Sequence, residues 1–125
     1  MRRQEFVVIG WRPPKYGVDN VRGLFLATYE EGQLTYRGGV GTGFTDKTRR
    51  EVWEVLQLIQ TDEQPPVVGM PRPEMRAARW VAPRLLAEVE YTEITPDGVL
   101  RHPSFKGLRE DKPALEVHLE GRPNG

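Results

Sequence analysis

Side chains able to do covalent chemistry are scarce in this chain. Ser104 is the only serine, His102 and His118 are the only histidines, and there is no cysteine. Thiolate nucleophiles, cysteine-ligated zinc and disulfides are excluded. A serine triad is excluded too, because Ser104 has no Gly-x-Ser-x-Gly setting, and no His-Glu-x-x-His or comparable spacing offers a metal site. What remains is cationic. Between Arg72 and Arg84 stand Arg72, Arg76, Arg79 and Arg84 against Glu74 alone, and between Arg101 and Lys112 stand Arg101, Lys106, Arg109 and Lys112 against Glu110 and Asp111. Guanidinium forks and ammonium point charges at such density suit phosphate oxygens, although a solvated charged face has the same appearance.

Other features carry less. The glycines from Gly38 to Gly43 could cradle an oxyanion, but the run lacks a Gly-Lys-Thr ending and the dinucleotide spacing, so backbone curvature is the better reading. Trp80 beside Arg79 suits a core position better than a base-stacking one. His102, before Pro103 in a cationic stretch, is read as structural or phosphate-contacting rather than as a base, and His118 carries no signal.

The elements that position these groups are mostly strands. Phe6 to Trp11, Gly23 to Tyr29 and Gln33 to Val40 are β-rich runs, with a tight turn at Glu31-Gly32. Thr45 is placed to cap one helix, Thr48 to Gln60, whose Val52, Val55, Leu56 and Ile59 fall on one face as a lid for the sheet. Pro65, Pro66, Pro71 and Pro73 make the stretch Thr61 to Arg76 a meandering loop. A short strand at Arg79 to Val81 and an alternating strand from Leu85 follow, with a turn at Pro96-Asp97-Gly98 and a return strand from Val99. The chain after Pro113 is expected to be loosely held. Three strands, a helix and further strands predict an all-β fold with one helix, a five-stranded OB-fold barrel with the helix between strands 3 and 4. An SH3-like barrel or split sheet shares much of that order.

Size and charge agree with a single domain, taken as residues 4–119 with a flexible tail at 120–125. The chain has 125 residues, 18 Lys+Arg and 18 Asp+Glu, hence zero formal net charge, which argues against nucleic-acid binding through bulk electrostatics. No apolar run approaches the length of a membrane span, and Met1-Arg2-Arg3 does not lead into a signal-peptide core, so a cytoplasmic location without membrane contact is expected.

The run Leu100-Arg101-His102-Pro103-Ser104-Phe105-Lys106-Gly107-Leu108-Arg109-Glu110-Asp111-Lys112-Pro113 is more specific. Its Arg109-x-Asp111-Lys112 resembles motif VI of ATP-dependent DNA ligases, and the whole run resembles that of bacterial DNA ligase D, the non-homologous end-joining ligase. Gln4 to Gly10, Val40-Gly41-Thr42-Gly43-Phe44 and Trp80-Val81-x-Pro83 with Leu85 to Thr95 resemble further elements of that family's OB domain, so the likeness runs from Gln4 to Lys112.

The resemblance implies a double role. The OB domain completes the ATP site of a separate nucleotidyltransferase domain, where Arg109 and Lys112 would orient the β and γ phosphates during adenylylation of a lysine, with Asp111 orienting one of them. It then turns another face to nicked or broken duplex DNA, for which Arg101, Lys106, Arg72, Arg76 and Arg79 are candidate contacts and Arg2 and Arg3 lie outside the footprint. ATP and Mg2+ in the full enzyme, Ku and other end-joining factors as partners, and a place at the bacterial nucleoid follow from the same likeness. Two departures stand out. Gly39 occupies a position where the family usually carries Lys or Arg, and none of Lys15, Lys47, Lys106 or Lys112 begins the Lys-x-Asp-Gly motif of the adenylylated lysine, so this chain alone is expected to bind no cofactor and to be inactive. A non-catalytic OB module that binds DNA at breaks is the alternative.

Overall fold

Phe6, Val7, Val8 and Ile9 are all fully buried, a continuous apolar run that only a strand covered on both faces can satisfy. The computed structural model describes residues 1–16, 19–109 and 113–119. In chain order the elements are β1 (Arg2–Arg12), β2 (Gly23–Glu30), β3 (Gln33–Val40), α1 (Asp46–Ile59), β4 (Val67–Val68), α2 (Arg72–Ala77), β5 (Arg79–Trp80), β6 (Leu86–Tyr91), β7 (Glu93–Ile94), β8 (Leu100–Arg101) and β9 (Ser104–Arg109). The main sheet runs β4-β3-β2-β1-β6-β9, with β5 also on β1, and β7 and β8 form a separate hairpin.

On the inner face Phe6, Val8, Leu24, Leu26, Val40, Ala87, Val89 and Phe105 pack with Val52 and Leu56 of α1, which is the expected lid. Its start is the expected cap: the Thr45 hydroxyl accepts from Thr48 N at 3.1 Å, and the Thr48 hydroxyl accepts from Thr45 N at 2.7 Å. On the outer face Val7, Ile9, Phe25, Ala27, Tyr36 and Leu86 are covered by Met70 and Met75 from the proline-rich segment, by Ala78 and Trp80 just after it, and by Val117. That segment is therefore more than a meander. It contributes β4, in parallel with Leu34 and Thr35 of β3, and the short helix α2.

The fold is mostly β with one main helix, as expected, but it is not a closed five-stranded barrel. The main sheet has seven strands, and no ladder joins β3 to β9 among the described residues. The ends meet just beyond β3, where Phe105 N donates to the Thr42 carbonyl and the Thr42 hydroxyl to the Pro103 carbonyl, both at 2.9 Å. Gly43 permits that approach, since a Cβ there would lie 2.5 Å from Phe105 O. The extra strands arise because the segments flanking α2 retain amides that pair with β3 and β1.

A second correction concerns the end of the chain. Residues 113–119 are held: Ala114–Glu116 form a 3-10 turn, Val117 and Leu119 are buried, Tyr29 N donates to the Val117 carbonyl at 2.7 Å, and Gln4 Nε2 donates to the His118 carbonyl at 3.1 Å. The tail assigned to 120–125 lies outside the described residues.

Tyr36, on the covered outer face, is 7% exposed. Burial, with the Glu74 carboxylate beside it and against the opposing pull of Arg12, pushes its phenol up to about 12. The folded state thus keeps the proton that the unfolded chain releases near pH 10, so this stability is complete below pH 10 and is lost as pH rises toward 12. The gap between wild type and Tyr36→Phe in urea midpoint should shift by the equivalent of about 2 kcal/mol across that window and stay constant between pH 7 and 9.

Candidate functional site

The outer edge of the sheet carries an ion-pair ladder that the register explains. Glu88 and Glu90 project from the outward positions of β6, whose Ala87, Val89 and Tyr91 point into the core. Lys106 and Arg109 of β9 are three residues apart and would point to opposite faces of a regular strand. A bulge prevents this: Val89 pairs with Phe105, but Glu88 pairs with Gly107, skipping Lys106. Gly107 sits at φ 151°, a glycine conformation. Both cations therefore reach outward carboxylates of β6. Arg109 Nη1 lies 3.2 Å from Glu88 Oε1 and Lys106 Nζ 3.6 Å from Glu90 Oε1.

Arg3 joins them from β1, pairing through Nε with Glu88 and through Nη1 with Glu90 at 3.2 Å. It belongs to this cluster and shares Glu90 with Lys106. Arg101 is likewise engaged, with Nε 3.4 Å from Glu93 Oε1. His102 adopts φ 52°, uncommon for a non-glycine residue, with Nδ1 3.3 Å from the Thr92 hydroxyl. Asp111 and Lys112 lie outside the described residues.

A second basic surface lies elsewhere. Arg12, Lys15, Arg22, Arg76 and Arg79 line a groove of about 710 Å³ with Pro13, Ala77 and Ala78. Among the described residues these five cations enter no ion pair, in contrast with those of β8 and β9; Arg12 stacks over the Phe25 ring at 5.1 Å. Arg72 stands exposed one helical turn before Arg76 on α2. The adjoining cavity of about 300 Å³ is lined by Arg12, Arg22, Tyr36, Glu74 and Gly39. Arg12 and Arg22 thus supply positive charge beside the position where Gly39 carries none. Arg49 does not add to this surface. Its guanidinium donates to the carbonyls of Val21, Arg22 and Gly41 at 2.8–3.0 Å and lies 4.8 Å from the centre of the Phe44 ring, which stacks on Phe105.

The structure therefore separates the predicted cations. Lys106 and Arg109 share one face, Arg76 and Arg79 share another, and Arg101 is on the β7–β8 hairpin. Glu88, Glu90, Arg12, Lys15 and Arg22 were missed. The two glutamates had a visible signal, the polar side of the alternating β6 strand, whereas Arg12, Lys15 and Arg22 come together with α2 only through tertiary packing.

The family model described as the ATP dependent DNA ligase C terminal region matches residues 18–112. The chain belongs to that family. The chain is 41% identical to the multifunctional non-homologous end joining protein LigD of Pseudomonas aeruginosa, over 98% of its own length and 15% of the relative's. It is 40% identical to LigD of Mycolicibacterium smegmatis, over 94% of its length and 16% of the relative's. Among solved structures it is similar to the ligase domain of Mycobacterium tuberculosis LigD, with TM-score 0.85, 38% identity and coverage of 95% of this chain and 39% of that one. A mycobacterial DNA ligase D complexed with ATP and MES gives TM-score 0.82 at 38% identity, covering 95% of this chain and 38% of the other. The chain thus spans a small part of these relatives. No helix among its described residues is long and apolar enough to cross a membrane.

Proposed function

We propose that this domain serves an ATP-dependent, LigD-type DNA ligase in double-strand break repair, with two faces for two steps. The β6–β9 face, through Arg109, meets the β and γ phosphates of ATP held in a nucleotidyltransferase domain and draws charge onto the departing pyrophosphate, a task that the motif assigns to Lys112 as well. Asp111 orients one of these two cations. The groove face, through Arg12, Lys15, Arg22, Arg76 and Arg79 with Arg72 nearby, lies on the phosphates of nicked or broken duplex DNA. Ku and other end-joining factors at the nucleoid are the protein partners of that reading.

One observation carries the division of labour. Lys106, Arg101 and Arg109 each sit against a glutamate, while the five groove cations have no carboxylate partner among the described residues. A cation already paired gains little from neutralising DNA, whereas unpaired cations release counterions when they meet phosphates. This support moves DNA contact away from Arg101 and Lys106. Among the described residues no group of three or more carboxylate, histidine or cysteine side chains converges to hold a metal.

The test is a salt titration of duplex DNA binding by this chain. Engagement of about three to five cations sets the slope of log K against log salt near −3 to −4, without sequence preference. Tight binding indifferent to salt would remove the groove from the proposal.

A further inference from the structure

Arg109 is the last residue of β9, and the backbone alone does not aim a side chain with so many rotatable bonds. The carboxylate of Glu88 does. It is the most enclosed member of the ladder, 15% exposed against 52% for Arg3 and 47% for Arg109. It rises from the middle of β6, which is paired on both sides, to β1 and to β9. Each oxygen has its own guanidinium, Oε1 that of Arg109 and Oε2 that of Arg3, so the group is held from two directions. The Nη1 end of the Arg109 guanidinium lies 3.2 Å from Glu88 Oε1, so the carboxylate fixes where that planar fork stands. The ladder as a whole sets the three cations Arg3, Lys106 and Arg109 against the two carboxylates Glu88 and Glu90.

We propose that Glu88 is a positioning residue for adenylylation, fixing the Arg109 guanidinium against the leaving phosphates, with Arg3 as its counter-anchor. This rests on the reading of Arg109 given above and adds residues from two other strands to it. A stability role alone is a weak account, because exposed ion pairs contribute about 0–1 kcal/mol. Simple electrostatics has the opposite sign: a carboxylate near a triphosphate repels it, so losing that charge would tighten ATP binding. A positioning role predicts a slower step without weaker ATP binding.

The experiment compares Glu88→Gln with wild type in the ligase containing this domain and its nucleotidyltransferase domain, measuring self-adenylylation across ATP concentrations and sealing of a nick already carrying its adenylate. The expected result is a roughly tenfold lower adenylylation rate at saturating ATP, an unchanged or lower half-saturating ATP concentration, and sealing within twofold of wild type. In the Arg109→Gln background the same change should have no further effect. Should Glu88→Gln not fold, Arg3→Gln carries the test, with a smaller loss confined to the same step. Equal losses in both steps, or adenylylation within twofold of wild type while Arg109→Gln is impaired, would overturn the role of Glu88. An Arg109→Gln enzyme that adenylylates normally would instead overturn the reading of Arg109 itself.

Discussion

Arg109→Ala is expected to slow self-adenylylation of the ligase by ~100-fold or more while leaving the sealing of a pre-adenylylated nick within a few-fold of wild type. The reason lies in where charge develops. Attack of the lysine on the α phosphate drives negative charge onto the departing β and γ oxygens, and a guanidinium fixed beside them stabilises that charge more in the transition state than in bound ATP. Pyrophosphate leaves only in this first step, so the later steps do not use the interaction. Lys112→Ala should show the same selectivity with a smaller loss, since an ammonium offers charge without a fork. The fold should survive the Arg109 change, because the side chain is half exposed and Glu88 keeps its pairing with Arg3. Single-turnover labelling with ATP, set beside sealing of an adenylylated nick, separates the steps. Equal losses in both would assign Arg109 to DNA contact or folding.

Local signals in the sequence were legible. Thr45 and Thr48 cap α1 through bonds between near neighbours, and Val52 and Leu56 repeat at helical spacing, so no distant information was needed. Features that depend on pairing were not legible. Arg101, Lys106 and Arg109 form a basic cluster along the chain, but register sets each against a glutamate of β6 or β7, and that cannot be read from adjacency. The Gly107 bulge puts Lys106 and Arg109 on one face although their spacing says otherwise. The covered outer face was announced by Phe6-Val7-Val8-Ile9, too apolar for a strand with one wet side. Val117 and Leu119 offered an alternating pattern, outweighed by the charged residues around them.

Those differences give opposite expectations for two sets of neutralised cations. Arg22→Gln, Arg76→Gln and Arg79→Gln together should weaken duplex DNA binding by a factor on the order of 10² at 0.1 M salt. Each phosphate contact adds about 0.9 to the slope of log K against log salt, and three contacts acting over the decade between 0.1 and 1 M salt amount to about 2.7 log units, less whatever neighbouring cations recover. The slope should fall by about 2 to 3. Arg101→Gln with Lys106→Gln, by contrast, removes cations already set against Glu93 and Glu90, and should change affinity by less than about threefold. Fluorescence anisotropy of a labelled duplex at several salt concentrations measures both sets, and a thermal melt confirms that exposed substitutions leave the fold intact. A larger loss from the Arg101 and Lys106 pair than from the groove triple would return the DNA face to β8 and β9. It would mean that phosphates displace the glutamates, and the ion-pair ladder would then be a resting state of the DNA site.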